Sequence, residues 1–320
     1  MLDDLLRWHL AATQLTLGNQ RSSLLTGGRR STLRGRGIDF DEVRLYQPGD
    51  DVRAIDWRVT ARASKPHTKV FREEKERPVL VMIDLRSTMF FGSRHTFKSV
   101  MAAHCAALLA WATLKSGDRI GALIVSDDGI TDIKPRRSRH AILQIFRKLL
   151  SIQQSHLHRL NNNSPAVIAP TITAPTLTDV MHQLRSVSKP GTCLILLSDF
   201  HDWNDGCLQA IFPAIRHSQA FAIRITDLLE QTLPDIGIAR FRFSEWILPV
   251  DTADKNLRQR YAQLQKDQQQ RWKSDWRKLA SPSTEISTID SVLTALRVLF
   301  GSGKTSHTQS GQEAMTHAIS

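Results

Sequence analysis

A chain of 320 residues can bury one large core or two smaller ones, and 41% hydrophobic with 23% charged residues is the balance of an ordinary globular protein, not a disordered or fibrous one. The charge is unusual: 43 Lys+Arg against 31 Asp+Glu leave a net +12, which calls for a negative partner such as nucleic acid, an anionic membrane surface or an acidic protein. Cys105, Cys193 and Cys207 are odd in number and lack metal spacing, so free buried thiols in a reducing, cytoplasmic compartment are expected.

The N-terminus, MLDDLLRWHL, carries two aspartates where a signal peptide needs basic residues, and its leucines predict a short amphipathic helix over 2–17. A basic arm follows, with five arginines between Arg21 and Arg36 and four glycines from Gly27 to Gly37. It reads either as a solvated loop or as a grip for phosphate or carboxylate. The next stretch, 38–78, is the densest in charge. Pro48-Gly49 predicts a type II turn, and the alternation of Ile55, Trp57 and Val59 with Asp56 and Arg58 predicts a strand. Around the turn, Arg44, Asp50, Asp51, Arg53, Asp56, Trp57, Arg58 and Arg62, with Asp39, Asp41 and Glu42 before them, form either a salt-bridge lattice or a recognition surface.

From Pro78 the pattern becomes strand–helix alternation. Val79 to Ile83 is an unbroken apolar run ending at Asp84, as expected of a strand buried on both faces. Helices are expected at 96–115, 138–150, 176–187 and 206–216, and strands at 120–125, 193–197 and 219–225; 153–175 reads as a polar loop. Thr252 is placed to cap a long helix to Leu279 carrying eight Lys/Arg against three Asp, and a strand (284–288) and helix (290–300) close the fold. The expectation is a doubly wound, mainly parallel α/β sheet over 78–300, an N-terminal β-containing extension over 1–77, and a disordered tail over 301–320. Gly301-Ser302-Gly303-Lys304-Thr305 has the ending of a phosphate-binding loop, but Val298 stands where its first glycine belongs and a helix precedes it, so no ATP site is expected.

In such a sheet, ligands sit beyond the carboxyl ends of the strands. Asp84 and Asp199 end two buried strands there, and Thr176 opens the helix between them; oxygen ligands of this kind suit Mg²⁺. The set Asp84, Arg86, Thr88, Thr176 and Asp199 resembles the metal-ion-dependent adhesion site of von Willebrand factor A domains, with arginine in place of the first serine. A guanidinium has no lone pair for a cation. The expectation is therefore a degenerate site with no cofactor or at most weak Mg²⁺ binding, in which Asp84 and Asp199 anchor Arg86.

The stretch FDEVRLYQPGDDVRAIDWRVTAR (40–62) closely resembles the signature of the bacterial domain of unknown function 58 family. VFREEKERPVLVMIDL, FGSRHTFKSV, GDRIGALIV, PGTCLILLSDF and the late Asp227-Leu228-Leu229-Glu230 follow in the family's order. The resemblance implies a von Willebrand A-like fold. It also implies a partnership with MoxR-type AAA+ ATPases, beside which members are commonly encoded, and client proteins on which the pair acts. The N-terminal transmembrane helices of many members have no counterpart here. No nucleophile elbow, zinc-protease motif or cysteine–histidine pair is found. A cytoplasmic, non-enzymatic interaction module is expected; a basic nucleic-acid-associated protein ranks second and a metal-dependent hydrolase third.

Overall fold

The computed structural model describes residues 2–15, 38–48, 50–63, 65–73, 76–161, 174–243 and 246–301. The basic arm and nearly all of the tail, with the glycine–lysine motif, lie outside these residues. The chain divides into two units, residues 20–76 and the remainder.

The larger unit begins with helix α1 (Leu2–Ala11); in the smaller unit follow β1 (Ile38–Leu45), α2 (Trp57–Ala63) and β2 (His67–Glu73). The main alternation then runs β3 (Pro78–Leu85), α3 (Lys98–Lys115), β4 (Arg119–Ser126), β5 (Gly129–Arg136), α4 (Arg139–Asn161), α5 (Leu177–Val187), β6 (Cys193–Ser198), α6 (Asp205–Ile215) and β7 (Gln219–Thr226). A short α7 (Leu228–Gln231), the hairpin β8 (Ile238–Phe243) and β9 (Trp246–Asp251), the long α8 (Lys255–Lys278), β10 (Ser283–Ser287) and α9 (Val292–Phe300) complete it.

Six strands form one sheet in the order β10-β7-β6-β3-β4-β5, parallel throughout except for β5. The expected doubly wound, mainly parallel α/β sheet is therefore present. Alternation along β3 divides the core: Val79, Val81, Ile83 and Leu85 face a layer with α1, α3, α4 and α9, while Leu80 and Met82 face α5, α6 and α8. The chain leaves β3 toward β4 on one side and later returns to lay β6 on the other. The carboxyl ends of β3 and β6 thus flank the switch point, where an open parallel sheet leaves its crevice.

Several expected elements change. The edge strand β5 is short of apolar residues and contains Pro135, which an edge strand tolerates because one side needs no ladder hydrogen bond. Its ladder shifts between Ile120 and Ala122, where a Cβ on Gly121 would come within 2.6 Å of the Ile133 carbonyl. Helix α4 runs through 153–161, expected as loop, and Gln153 is buried against α3, donating to the Ser99 carbonyl at 3.2 Å. Asp254, not Thr252, caps α8; the Thr252 hydroxyl instead donates to Gly237 O at 2.7 Å. The three cysteines are free and buried.

Helix α1 also departs from the expected division at residue 77, because it belongs to the sheet unit. Leu5 is buried, the Trp111 indole donates to its carbonyl at 3.2 Å, and Trp8 lies 5.6 Å from the His104 ring. A 3-10 turn after α1 buries Ala12 in the same core.

In the smaller unit, β1 and β2 form an antiparallel hairpin. Asp50 N–H closes the turn at Pro48 by donating to Gln47 O at 3.0 Å. The strand expected at 55–59 is instead a 3-10 turn (Val52–Ala54) leading into α2. Two carboxylates decide this. Asp51 accepts from Arg53 N at 3.0 Å, and Asp56 from Arg58 N and Val59 N at 3.0 and 3.2 Å, satisfying amides that open each helical turn.

Candidate functional site: a crevice filled by its own cations

Asp84 is the last but one residue of β3 and fully buried. On β6, Ser198 follows the Leu197 that pairs with Ile83, and its hydroxyl donates to Asp84 Oδ2 at 2.7 Å. Immediately beyond β3, Arg86 folds back over its own strand end. Nε and Nη2 donate to the two Asp84 oxygens at 3.0 and 2.8 Å; Nη1 and Nη2 donate to those of Asp202 at 2.9 Å each; and Nη1 also reaches Pro175 O at 3.3 Å. A guanidinium has five N–H donors. All five are used.

The expected second anchor was Asp199, and the structure replaces it with Asp202. Strand parity is the reason. Ser198 shares the face of Asp84, so Asp199, one residue on, points to the other face, toward α3. There its Oδ2 accepts from Lys98 Nζ at 2.9 Å, and its Oδ1 from His201 N at 3.1 Å. Phe200 then adopts a left-handed backbone (φ 52°), unusual for a bulky residue, and the turn brings Asp202 back toward Arg86. Asp202 also accepts from Leu177 N at 2.8 Å, holding the first turn of α5.

Of the other expected positions, Thr88 is exposed, on the 3-10 turn Ser87–Met89 that follows β3. Thr176 is exposed and caps α5 through a reciprocal pair with Asp179, outside the buried cluster. Lys98, the first residue of α3, is buried, and its ammonium bonds both Asp199 and Glu230. Asp227 and Glu230 cap α7, and Asp227 additionally accepts from Ser93 N at 3.0 Å and Thr288 Oγ1 at 2.7 Å. Asp202 and Lys98 are not expected site residues from the sequence, and Glu230 enters there only as part of the late family motif. The signals present were a lysine heading an otherwise apolar helix, the aspartate three residues after Asp199, and the late D-L-L-E run.

The crevice thus contains two triads, Asp84–Arg86–Asp202 and Asp199–Lys98–Glu230, each with two carboxylates around one cation. Burial pushes Asp84 and Glu230 above their ordinary carboxyl values, and Arg86 and Lys98 only partly oppose it. Burial acts upward on Asp199 and Asp202 too, but there Lys98 and Arg86, with backbone amides, win and hold both below the ordinary value. Lys98 is raised despite its burial, by the same two carboxylates it bonds. A polar cleft of about 340 Å³ adjoins the second triad, lined by Lys98, Glu230, Arg224, Tyr261 and Gln265 among others. Arg224 is itself tied to the Asp199 carbonyl (3.3 Å) and Glu285 (3.3 Å). Among the described residues no group of three or more histidine, cysteine or carboxylate side chains is arranged to hold a metal ion.

The eight residues of the charged signature separate by role. Arg44 and Asp50 pair at 2.7 Å, and Asp51 and Asp56 cap helical turns. Trp57, Arg53, Arg58 and Arg62 are exposed.

Residues 42–271 match the model of a family described as protein of unknown function DUF58. The chain belongs to that family. Two uncharacterized relatives, Mb1516 of Mycobacterium bovis and Rv1480 of Mycobacterium tuberculosis, are each 29% identical over 231 residues, or 71% of this chain and 67% of theirs. Among solved structures, an aerotolerance-related membrane protein of Bacteroides fragilis is similar with a TM-score of 0.42 and 13% identity over 70% of this chain and 96% of that one. BatB of Bacteroides thetaiotaomicron is similar to the same degree, over 69% and 95%. In this DUF58 chain no helix among the described residues is long and apolar enough to cross a membrane.

Proposed function

We propose that this DUF58 protein is a non-enzymatic, cytoplasmic protein-interaction module on a von Willebrand A-like sheet, working with a MoxR-type AAA+ ATPase on client proteins. The observation that carries the reading is Arg86. Where the resemblance places a divalent cation, a covalently attached guanidinium spends all five donors on Asp84, Asp202 and Pro175. The carboxylates at the switch point are thereby committed to holding loops together, and neither is free to activate water or ligate a metal. This supports a role in recognition by the surface around a fixed crevice. The ATPase as partner is supported by the resemblance of the 40–62 signature to a family commonly encoded beside such enzymes.

The test is affinity capture of the tagged full chain from lysate of its own cells, nuclease-treated, with and without a slowly hydrolysed ATP analogue. Nucleotide-dependent recovery of an AAA+ ATPase is expected. Recovery of no ATPase, with nucleic acid retained when nuclease is omitted, would replace this reading with the nucleic-acid one that the net charge of +12 keeps open.

A further inference from the structure

In the smaller unit the acids of the 43–68 stretch are engaged locally, while four of its five bases are exposed. Asp50, Asp51 and Asp56 are engaged with Arg44 and with backbone amides. Helix α2 places Val59 and Thr60 toward β2, where the Thr60 hydroxyl accepts from His67 N at 3.0 Å. Its other side is exposed and carries Trp57 and Ala61 one turn apart, beside Arg58 and Arg62 one turn apart. Among the described residues Arg53, Arg58, Arg62 and Lys65 make no ion pair. From 43 to 68 there are five cations (Arg44, Arg53, Arg58, Arg62, Lys65) against three carboxylates (Asp50, Asp51, Asp56), and four of those cations face solvent.

The apolar content of this surface is as unusual as its charge. Trp57 is 67% exposed, Val52 57% and Leu45 52%. Leu45 pairs with His67 across the ladder, and the His67 carbonyl accepts from Asp56 N at 2.8 Å, so Leu45 and the residue preceding α2 both adjoin His67. Tryptophan and arginine are the residues that carry most binding energy at protein interfaces.

We infer that the exposed face of α2, centred on Trp57 with Arg53, Arg58 and Arg62 around it, binds an acidic segment of a partner protein in which apolar side chains alternate with carboxylates. Carboxylates match the arginine forks bidentately, and apolar side chains match Trp57, Leu45 and Val52. A nucleic acid would satisfy the arginines and stack on Trp57, but its phosphates and sugars leave the two aliphatic side chains unpartnered. The inference rests on the chain's being an interaction module; it adds the surface and the chemistry of the partner.

Peptide display on the immobilised full chain tests it without any ATPase, so a failed ATPase capture and a failed selection are separate results. The probe is a random peptide library, selected on the wild type and counter-screened on Trp57→Ala and on the double variant Arg58→Glu/Arg62→Glu. Enriched peptides are expected to combine Asp or Glu with Leu, Ile or Phe, and to bind both variants at least about tenfold more weakly. The melting temperature of Trp57→Ala should stay at the wild-type value. Three results would overturn the inference: no enrichment, or enrichment indifferent to the variants; a single-stranded oligonucleotide that binds through these residues while no acidic peptide is selected; or a Trp57→Ala melting temperature lowered as for a buried tryptophan, which would mean that the chain itself covers this face.

Discussion

Arg86 and Lys98 are internal counter-ions, each held by one buried carboxylate, Asp84 or Asp199, that would be intolerable in the interior without it, and by one partly exposed carboxylate, Asp202 or Glu230. Removing one partner of a buried pair costs far more than the pair contributes, because it leaves a charge in low dielectric. Arg86→Met should therefore destabilise the chain by about 3–5 kcal/mol in chemical denaturation. Arg86→Lys should recover only part of this, since an ammonium cannot fork two carboxylates at once. Asp202→Asn gives a pH signature. Asp202 has its carboxyl lowered from 3.8 in the folded chain, so its contribution is present above that value and is lost as pH falls through the folded value. The stability gap between wild type and Asp202→Asn should be widest near neutrality and narrow in acid below about pH 4. Because Arg86 occupies Asp84, calorimetric titration of Mg²⁺ should show no saturable heat; a micromolar affinity abolished by Asp199→Ala would return the crevice to a working metal site.

At the scale of elements, each strand end matters through the helix or loop it ties down. Asp84 and Asp202 hold Arg86 over the start of α5; Asp199 and Glu230 hold the first residue of α3; Asp227 joins the start of α7 to the 91–97 loop and to Thr288. Beneath them Phe200, Trp203, Trp272 and Trp276 pack with ring centroids 5.4–6.4 Å apart, so α8 supports the turn in which Phe200 is left-handed. Helix α1 is equally integral. Leu5→Ala removes a side chain packed against α3 in the main core and should cost about 2–5 kcal/mol. A loss below 1 kcal/mol in urea unfolding would instead mark α1 as a detachable appendage.

Across the whole molecule the balance of charge is uneven. The chain carries +12, yet the two crevice triads hold four carboxylates against two cations. Attraction to polyanions should thus come from surfaces other than the crevice and be of the long-range, screened kind. Fluorescence anisotropy with a labelled oligonucleotide should give affinity that falls steeply as salt is raised and vanishes at physiological ionic strength. Tight binding that persisted there would favour a nucleic-acid function.

What the sequence by itself determined was whatever depends on local pattern. Unbroken apolar runs at 79–83 and 193–197 marked strands buried on both faces, and the alternation of strand and helix led to a parallel sheet. The aspartates at the strand ends marked the crevice, and the 40–62 stretch marked the family. Local pattern failed where a short-range contact competed with it: Ile55, Trp57 and Val59 alternate like a strand, but the Asp51 and Asp56 caps turn the segment helical. It also failed for edge elements such as β5, whose single neighbour demands little hydrophobicity. Tertiary structure alone decided which carboxylate meets Arg86. Asp199 and Asp202 lie three residues apart and look interchangeable in sequence. Strand parity and one left-handed residue send the first to Lys98 and the second to Arg86, because a side chain's direction is set by the backbone beneath it and its partner by what has folded opposite.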